Sequence, residues 1–393
     1  MTATAATADF RIPPPPESRL PGVGTTIFTV MSALAQEQGA VNLGQGFPDF
    51  GCDPALVDAV ADAMRAGHNQ YPPMTGLPAL RQAVAQVMQT TQGVAYDADR
   101  EITITAGATQ GLFTAIQALV RPGDEVVVLE PAYDSYLPAL ELAGATVHRV
   151  PLTPMTFRPD FDRIAAALSP RTRLVLVNTP HNPSGTVWSR ADWQMLADLL
   201  APTDAWLLSD EVYEHMVFDG QRHVSAAALP ALRARAVVVT SFGKTLHVTG
   251  WKVGAVLAPP ELMAEFRKVH QFNVFTVNTP MQHGLAAHLA QPQHYLGLAD
   301  FYQAKRDHFR AGLAATRLRL LPCEGTYFQC VDYSAVSSLG EMDFCRWLCT
   351  ELGVAAIPLS AFYRDGTEQG VVRFCFAKQT TTLDAALQRL ARL

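Results

Sequence analysis

Ser241-Phe242-Gly243-Lys244-Thr245-Leu246-His247-Val248-Thr249-Gly250-Trp251-Lys252-Val253-Gly254 follows a β-branched, apolar run from Ala236 to Thr240. That run reads as a buried strand, so the quoted stretch leaves the strand carrying two lysines among glycines and hydroxyls. Small residues around a lysine suit a partly desolvated site, and desolvation disfavours the ammonium form. A lysine held neutral is a nucleophile that can form a Schiff base with a carbonyl. Most lysines beside glycine are solvated loop residues. A reactive one needs partners, which the other strand ends must supply.

Upstream of this stretch, strand-like and helix-like segments alternate. The sequence predicts strands over Ile102–Thr105, Glu125–Leu129, Val147–Val150, Leu174–Val177, Trp206–Ser209, Val237–Thr240 and Gly254–Leu257. Helical patterns over Tyr136–Ala143, Phe161–Ala167 and Ser189–Leu200 lie between several of them. Continuous apolar strands separated by helices predict an α/β domain with a mostly parallel sheet covered on both faces. Ligands of such sheets bind beyond the carboxyl ends of the strands. The residues there are Tyr133, Asp134 and Ser135 after one strand and Asn178 to Gly185 after the next. Asp210 to Tyr213 follow a third strand, and the lysine stretch a fourth. Gly107, Ala108 and Thr109 open a helix after Thr105, where backbone N–H groups can face an anion.

Length bounds the organisation. At 393 residues the chain exceeds one ordinary domain, so two domains sharing a cleft are expected. Residues 1–45 read as an arm (Met1–Leu20, with Pro13 to Pro16 in a row) and a helix over Thr26–Gln36, contributing to the small domain and to subunit contacts. Residues 46–285 form the large domain and 286–393 a smaller α+β domain. In the latter, Gln291–Ala315 predicts one long helix. Arg319–Pro322, Thr326–Val331 and Val371–Cys375 predict strands, and Leu339–Leu352 and Thr382–Leu393 helices. Gly44, Gly46, Pro48 and Gly51 mark a loop of fixed shape, and Asp53-Pro54 a helix start.

Composition excludes several classes. Hydrophobic residues make up 49% and charged residues 17% of the chain, with a formal net charge of -6, which argues against nucleic acid as a partner. No stretch is apolar enough to span a membrane, and Met1–Phe10 lacks a secretory pattern, so a cytoplasmic protein is expected. The six cysteines are scattered, as reduced core thiols are. Cys345 and Cys349 lack the further ligands of a zinc site, so no metal is expected. No GxGxxG follows a strand, which disfavours a nicotinamide dehydrogenase.

Together, Ser-Phe-Gly-Lys at Ser241–Lys244, Gly-Trp-Lys-Val-Gly at Gly250–Gly254, Asn-Pro-Ser-Gly at Asn182–Gly185 and Asp-Glu-Val-Tyr at Asp210–Tyr213 resemble the class I/II aminotransferases of fold type I, which depend on pyridoxal phosphate. Gly44–Phe50 and Arg373–Lys378 place the closest resemblance with methionine and kynurenine–glutamine aminotransferases. The resemblance implies Lys244 as the Schiff-base lysine, Asp210 as partner of the pyridine nitrogen, and Asn182 and Tyr213 as donors to the ring oxygen. It stacks Tyr133 on the ring and assigns Ser241, Lys252, Gly107, Ala108 and Thr109 to the phosphate. Tyr71 would reach the phosphate of the neighbouring subunit in a homodimer. Arg373 would hold the substrate α-carboxylate, with Asn182 and the backbone at Gly46 beside it. Phe28 and the neighbouring subunit's Phe275 would line a pocket for an uncharged side chain. Amino acids and 2-oxo acids are the implied substrates, and a cysteine-conjugate β-lyase is the alternative activity. A regulatory protein built on the same fold would need a DNA-binding module, for which there is no basic segment.

Overall fold

The structure is a computed structural model that describes residues 13–393. The expected N-terminal arm lies outside the described residues as far as residue 12. Pro13 to Arg19 carries no helix or strand and is exposed. A seven-stranded sheet forms the centre, in the order Ile102–Thr105, Gly254–Leu257, Ala236–Ser241, Trp206–Asp210, Thr172–Asn178, Glu125–Glu130, Thr146–Pro151. The last five of these run parallel to one another, while Gly254–Leu257 runs antiparallel to both its neighbours.

The apolar strands alternate between two cores. Val126, Val128, Leu174, Leu176, Leu208, Val237 and Val239 pack on one face with Leu112, Leu140 and Phe266 from helices. Val127, Leu129, Val175, Val177, Leu207 and Val238 pack on the other with Trp193 and Leu196. Each such burial contributes roughly 1.5–3 kcal/mol. A sheet buried on both faces cannot slip by one residue without sending every side chain to the wrong core. The strand ends are therefore held in fixed register, with Asn178 beside Asp210 and Ser241 beside Gly254.

A second body carries a four-stranded antiparallel sheet ordered Ile357–Pro358, Val371–Cys375, Phe328–Asp332, Arg319–Leu320. The helix Ile27–Glu37, capped by Thr26, packs against this body, and Val41–Asn42 pairs with Val354–Ala355. Several expectations are corrected here. Gln291–Ala315 is two helices, Gln293–Leu296 and Leu298–Leu313, meeting at Gly297. Pro292 has no N–H to continue a helix, and Gly297 unwinds the junction. The strand expected over Thr326–Val331 begins only at Phe328, because Thr326 takes φ 65°. Two further helices, Pro260–Asn273 and Thr279–Leu289, lie between the last central strand and the second body. Thr279–Leu289 packs on Pro54–Arg65 and Pro78–Gln92. Among the described residues, no helix is long and apolar enough to cross a membrane.

That packing sets a stability test. A Cβ on Gly284 would lie 2.4 Å from Val60 Cγ2 and 3.1 Å from Val60 N, so Gly284→Ala must push two helices apart. A loss of about 1–3 kcal/mol is expected, read as a lower urea midpoint with unchanged slope. An unchanged midpoint would show that the helices separate freely.

Candidate active site

A cavity of about 220 Å³ opens at the carboxyl ends of the central strands. Asp210 ends its strand on the cavity floor, buried. Its Oδ2 accepts from the Tyr136 hydroxyl at 2.5 Å and its Oδ1 from Val212 N at 3.3 Å. Burial pushes the carboxyl up to about 6, against the opposing pull of those donors and of Lys244. Tyr133 lies edge-on to Tyr136 at 5.7 Å, and burial pushes its phenol up to about 12.

Lys244 stands in the one-turn helix Phe242–Thr245 that starts where the strand ends at Ser241. Its Nζ donates to the Tyr327 hydroxyl at 2.9 Å and more weakly to Gly46 O at 3.5 Å. Tyr327 in turn donates to Gly46 O at 2.6 Å. The amine lies 5.5 Å from the ring centres of both Tyr213 and Tyr327. Burial pulls its ammonium down to about 8, with Arg373 and Lys252 adding to the effect and Asp210 opposing it. Tyr213 is buried edge-on to Tyr327, and its phenol is held well above the ordinary range by burial.

Across the cavity floor a second cation waits at a helix start. Gly107 takes φ 79°, and a Cβ there would lie 3.3 Å from Lys252 Cε and 3.4 Å from its Nζ. Lys252 itself adopts φ 54°, uncommon outside glycine. Ala108, Thr109 and Ser241 complete this rim. Backbone amides at a helix N-terminus beside a lysine and two hydroxyls make an anion cradle.

The third charged group comes from the second body. Arg373 is buried, donating to Asn182 Oδ1 at 2.7 Å and to Gly44 O at 3.1 Å, while its Nε has no partner. Its guanidinium lies 3.9 Å from the Phe328 ring centre and 5.4 Å from that of Phe28. Asn182 N donates to Asn178 Oδ1 at 2.8 Å, and Asn178 Nδ2 donates to the Asp210 carbonyl at 2.9 Å. His181 steadies the same loop. Its Nε2 donates to Pro131 O at 2.9 Å, so its Nδ1 accepts from Ser184 at 2.6 Å. Desolvation pulls this imidazole down to about 4, which keeps it neutral.

Thirteen of the residues singled out from sequence line this one cavity, Phe28 and Gly46 among them. Tyr71 and Phe275 do not. They are 80% and 44% exposed and pair edge-on at 5.4 Å away from it. Three residues that matter were given no role from sequence: Tyr136, Asn178 and Tyr327. A Tyr six positions after Glu130 and an Asn at a strand end were available signals for the first two. Tyr327 had none, because Thr326 turns it into the site by a backbone conformation that composition does not reveal.

The family described as aminotransferase class I and II matches residues 38–390. The methionine aminotransferase of Escherichia coli is 55% identical over 379 residues, covering 96% of this chain and 98% of that protein. Kynurenine–oxoglutarate transaminase 1 of Rattus norvegicus is 34% identical, covering 95% and 97%. The solved structure of YbdL from Escherichia coli, identified with a methionine aminotransferase function, superposes with a TM-score of 0.96 at 55% identity, covering 97% of this chain and all of that one. With an α/β fold whose central strand ends carry a part-buried lysine and a buried aspartate, facing a buried arginine from the second sheet, the chain belongs to the class I and II aminotransferases.

Proposed function

We propose that this aminotransferase takes its amino group from an amino acid with an uncharged side chain, methionine or an aromatic residue or histidine, and passes it to a 2-oxo acid. One observation carries this reading: Arg373 is buried among Phe28, Phe328 and Phe362 with only neutral oxygens on it and Nε unpaired. Such a group suits one carboxylate in apolar surroundings. A second side-chain carboxylate would find aromatic walls instead. The 55% identical relative, named for methionine, supports the same choice. The family favours transamination over the β-lyase alternative.

Class I and II aminotransferases use pyridoxal phosphate, and the residues fit it. Asp210 is a buried carboxylate raised toward neutrality, so a protonated ring nitrogen is the partner it lacks. The Gly107 and Lys252 cradle has the space and donors for a phosphate, with Ser241, Ala108 and Thr109. Tyr133 offers a ring face, and Asn182 and Tyr213 donors for the ring oxygen. Bound there, the cofactor supplies an aldehyde for the amino group and an electron-poor ring for the pair left when the α-proton departs. Lys244 Nζ would hold the cofactor and is the amine placed to take up the α-proton as a general base. Tyr327 positions that amine by accepting from Nζ while donating to Gly46 O. Arg373 orients the α-carboxylate, and the aromatic walls exclude water.

In this reading the large body runs to about Leu289 and carries the cofactor, while the second body brings Arg373. The enzyme works as a cytoplasmic homodimer. In support, Tyr71 and Phe275 stand exposed together outside their own cavity, with Phe275 at φ 66°, a conformation costly for an aromatic residue unless function holds it. Every cysteine among the described residues is free.

A steady-state scan of donors tests the assignment. Methionine, aromatic residues and histidine should exceed aspartate in kcat/KM, and Arg373→Ala should lower kcat/KM for all of them by about 3 kcal/mol, roughly a hundredfold. Aspartate as best donor would overturn the pocket reading. For Lys244 the form that burial penalises is the ammonium, so the neutral amine appears as pH rises through about 8 instead of 10.5. Labelling of Lys244 in cofactor-free protein by an amine-reactive reagent should follow that midpoint; one near 10.5 contradicts it. Tyr71→Ala and Lys244→Ala proteins should each be crippled alone. Unfolded and refolded together they should regain activity, because mixed dimers hold one intact site. No recovery would mean that Tyr71 does not act across subunits.

A further inference from the structure

Asp53, His288 and His294 stand far apart in the chain and converge away from the cavity. Asp53 caps the helix Pro54–Arg65 through Oδ1, which accepts from Ala55 N at 2.9 Å. Its Oδ2 turns to two imidazoles, lying 3.9 Å from His288 Nε2 and 3.6 Å from His294 Nδ1. Those rings stack with centres 3.6 Å apart. One oxygen and two ring nitrogens thus fall within 4.8 Å of one another.

These separations are too long for hydrogen bonds. They lie close to the edge of a metal tetrahedron, since bonds of roughly 2.0–2.1 Å place ligand atoms about 3.4 Å apart. His288 is fixed in a buried position on the helix Thr279–Leu289, whereas the Asp53 side chain is 40% exposed, so the point of convergence opens to solvent. Two imidazole nitrogens and one carboxylate oxygen suit a borderline ion such as Zn²⁺ and not the oxygen-seeking Mg²⁺ or Ca²⁺.

We propose that Asp53, His288 and His294 bind a divalent transition-metal ion of the zinc class, with water as fourth ligand. The ion would act on the active-site wall. Asp53 ends the loop that carries Gly46, whose carbonyl accepts from Tyr327. The middle of that loop is already tied to the C-terminal helix, where Thr382 donates to Asp49 Oδ2 at 2.7 Å. A bound ion fastens its far end to Thr279–Leu289 and Gln293–Leu296 in addition.

The test uses untagged, chelator-stripped holoenzyme titrated with Zn²⁺ against a chromophoric chelator, alongside thermal unfolding. One ion per chain with a Kd on the order of micromolar or tighter and a raised Tm are expected. His294→Ala and Asp53→Asn should each weaken binding at least about tenfold and abolish the Tm rise; Asn at 53 still caps the helix, so folding is preserved. His288→Ala empties a buried position, so the other two variants decide the matter if it fails to fold. Cys52→Ser removes the neighbouring thiol, which is only partly buried, and should bind as the wild type does. Absence of one-to-one binding, undiminished binding in His294→Ala and Asp53→Asn, or loss in Cys52→Ser would each overturn the site.

Discussion

Charge drawn out of water around one cavity is the constraint on which the rest of the molecule depends. Asp210 and Arg373 are buried and Lys244 is partly so, and burial pushes each toward its neutral form. Opposite charges so placed would ordinarily pair. Here Lys244 turns to Tyr327 and Gly46, while Asp210 is held by Tyr136. Each group is satisfied by neutral donors or acceptors just well enough to keep its place. Leaving a buried charge without a full counter-ion is costly, and that cost is relieved when an external cation, anion or carbonyl arrives. The doubly covered parallel sheet holds the strand ends that carry Asp210 and Lys244 in register.

Close backbone approach is the second condition. At Gly254 a Cβ would lie 2.7 Å from Thr240 O and 3.1 Å from Ala108 N. Three segments meet there: the strand before the lysine stretch, the strand after it, and the helix that begins at Gly107. Their contact brings Lys252 Nζ over the Gly107 turn. Only glycine permits that approach, which explains why two glycines and the second lysine belong to one cradle at the end of two neighbouring strands, where Thr105 pairs with Gly254.

Much of this was legible in the chain. Long apolar runs identify strands buried on both faces, and Ile102–Thr105, Gly254–Leu257 and Val371–Cys375 have the very bounds that the sequence suggests. The polar groups at the strand ends follow from the general rule for such sheets. Elsewhere local pattern misled or fell silent. The amphipathic run Gln291–Ala315 hides its break, since a Pro and a Gly within it are weaker signals than its periodicity. Thr279–Leu289 lacks a clear apolar stripe because Gln282 and His288 face its buried side. Tyr136 looks like core filler until Asp210 is known to lie 2.5 Å away. The convergence of Asp53 with His288 and His294 has no motif at all, for it depends on helix packing between distant segments.

Arg373 shows how the two bodies become one site. From the Asp210 carbonyl, hydrogen bonds run through Asn178 to Asn182 and from there to Arg373, which reaches on to Gly44. The arginine from the second body is thus referenced to the same strand that fixes Asp210. A substrate carboxylate is a stronger acceptor than the neutral oxygens now on the guanidinium. Its arrival draws on the unpaired Nε and competes for the bond to Gly44, the residue at the head of the loop that holds Gly46 against Tyr327 and Lys244. Carboxylate recognition and amine positioning consequently share one loop. A ligand lacking the carboxylate leaves that loop bound as before, so the geometry rewards amino acids over simple amines at the step that places the lysine.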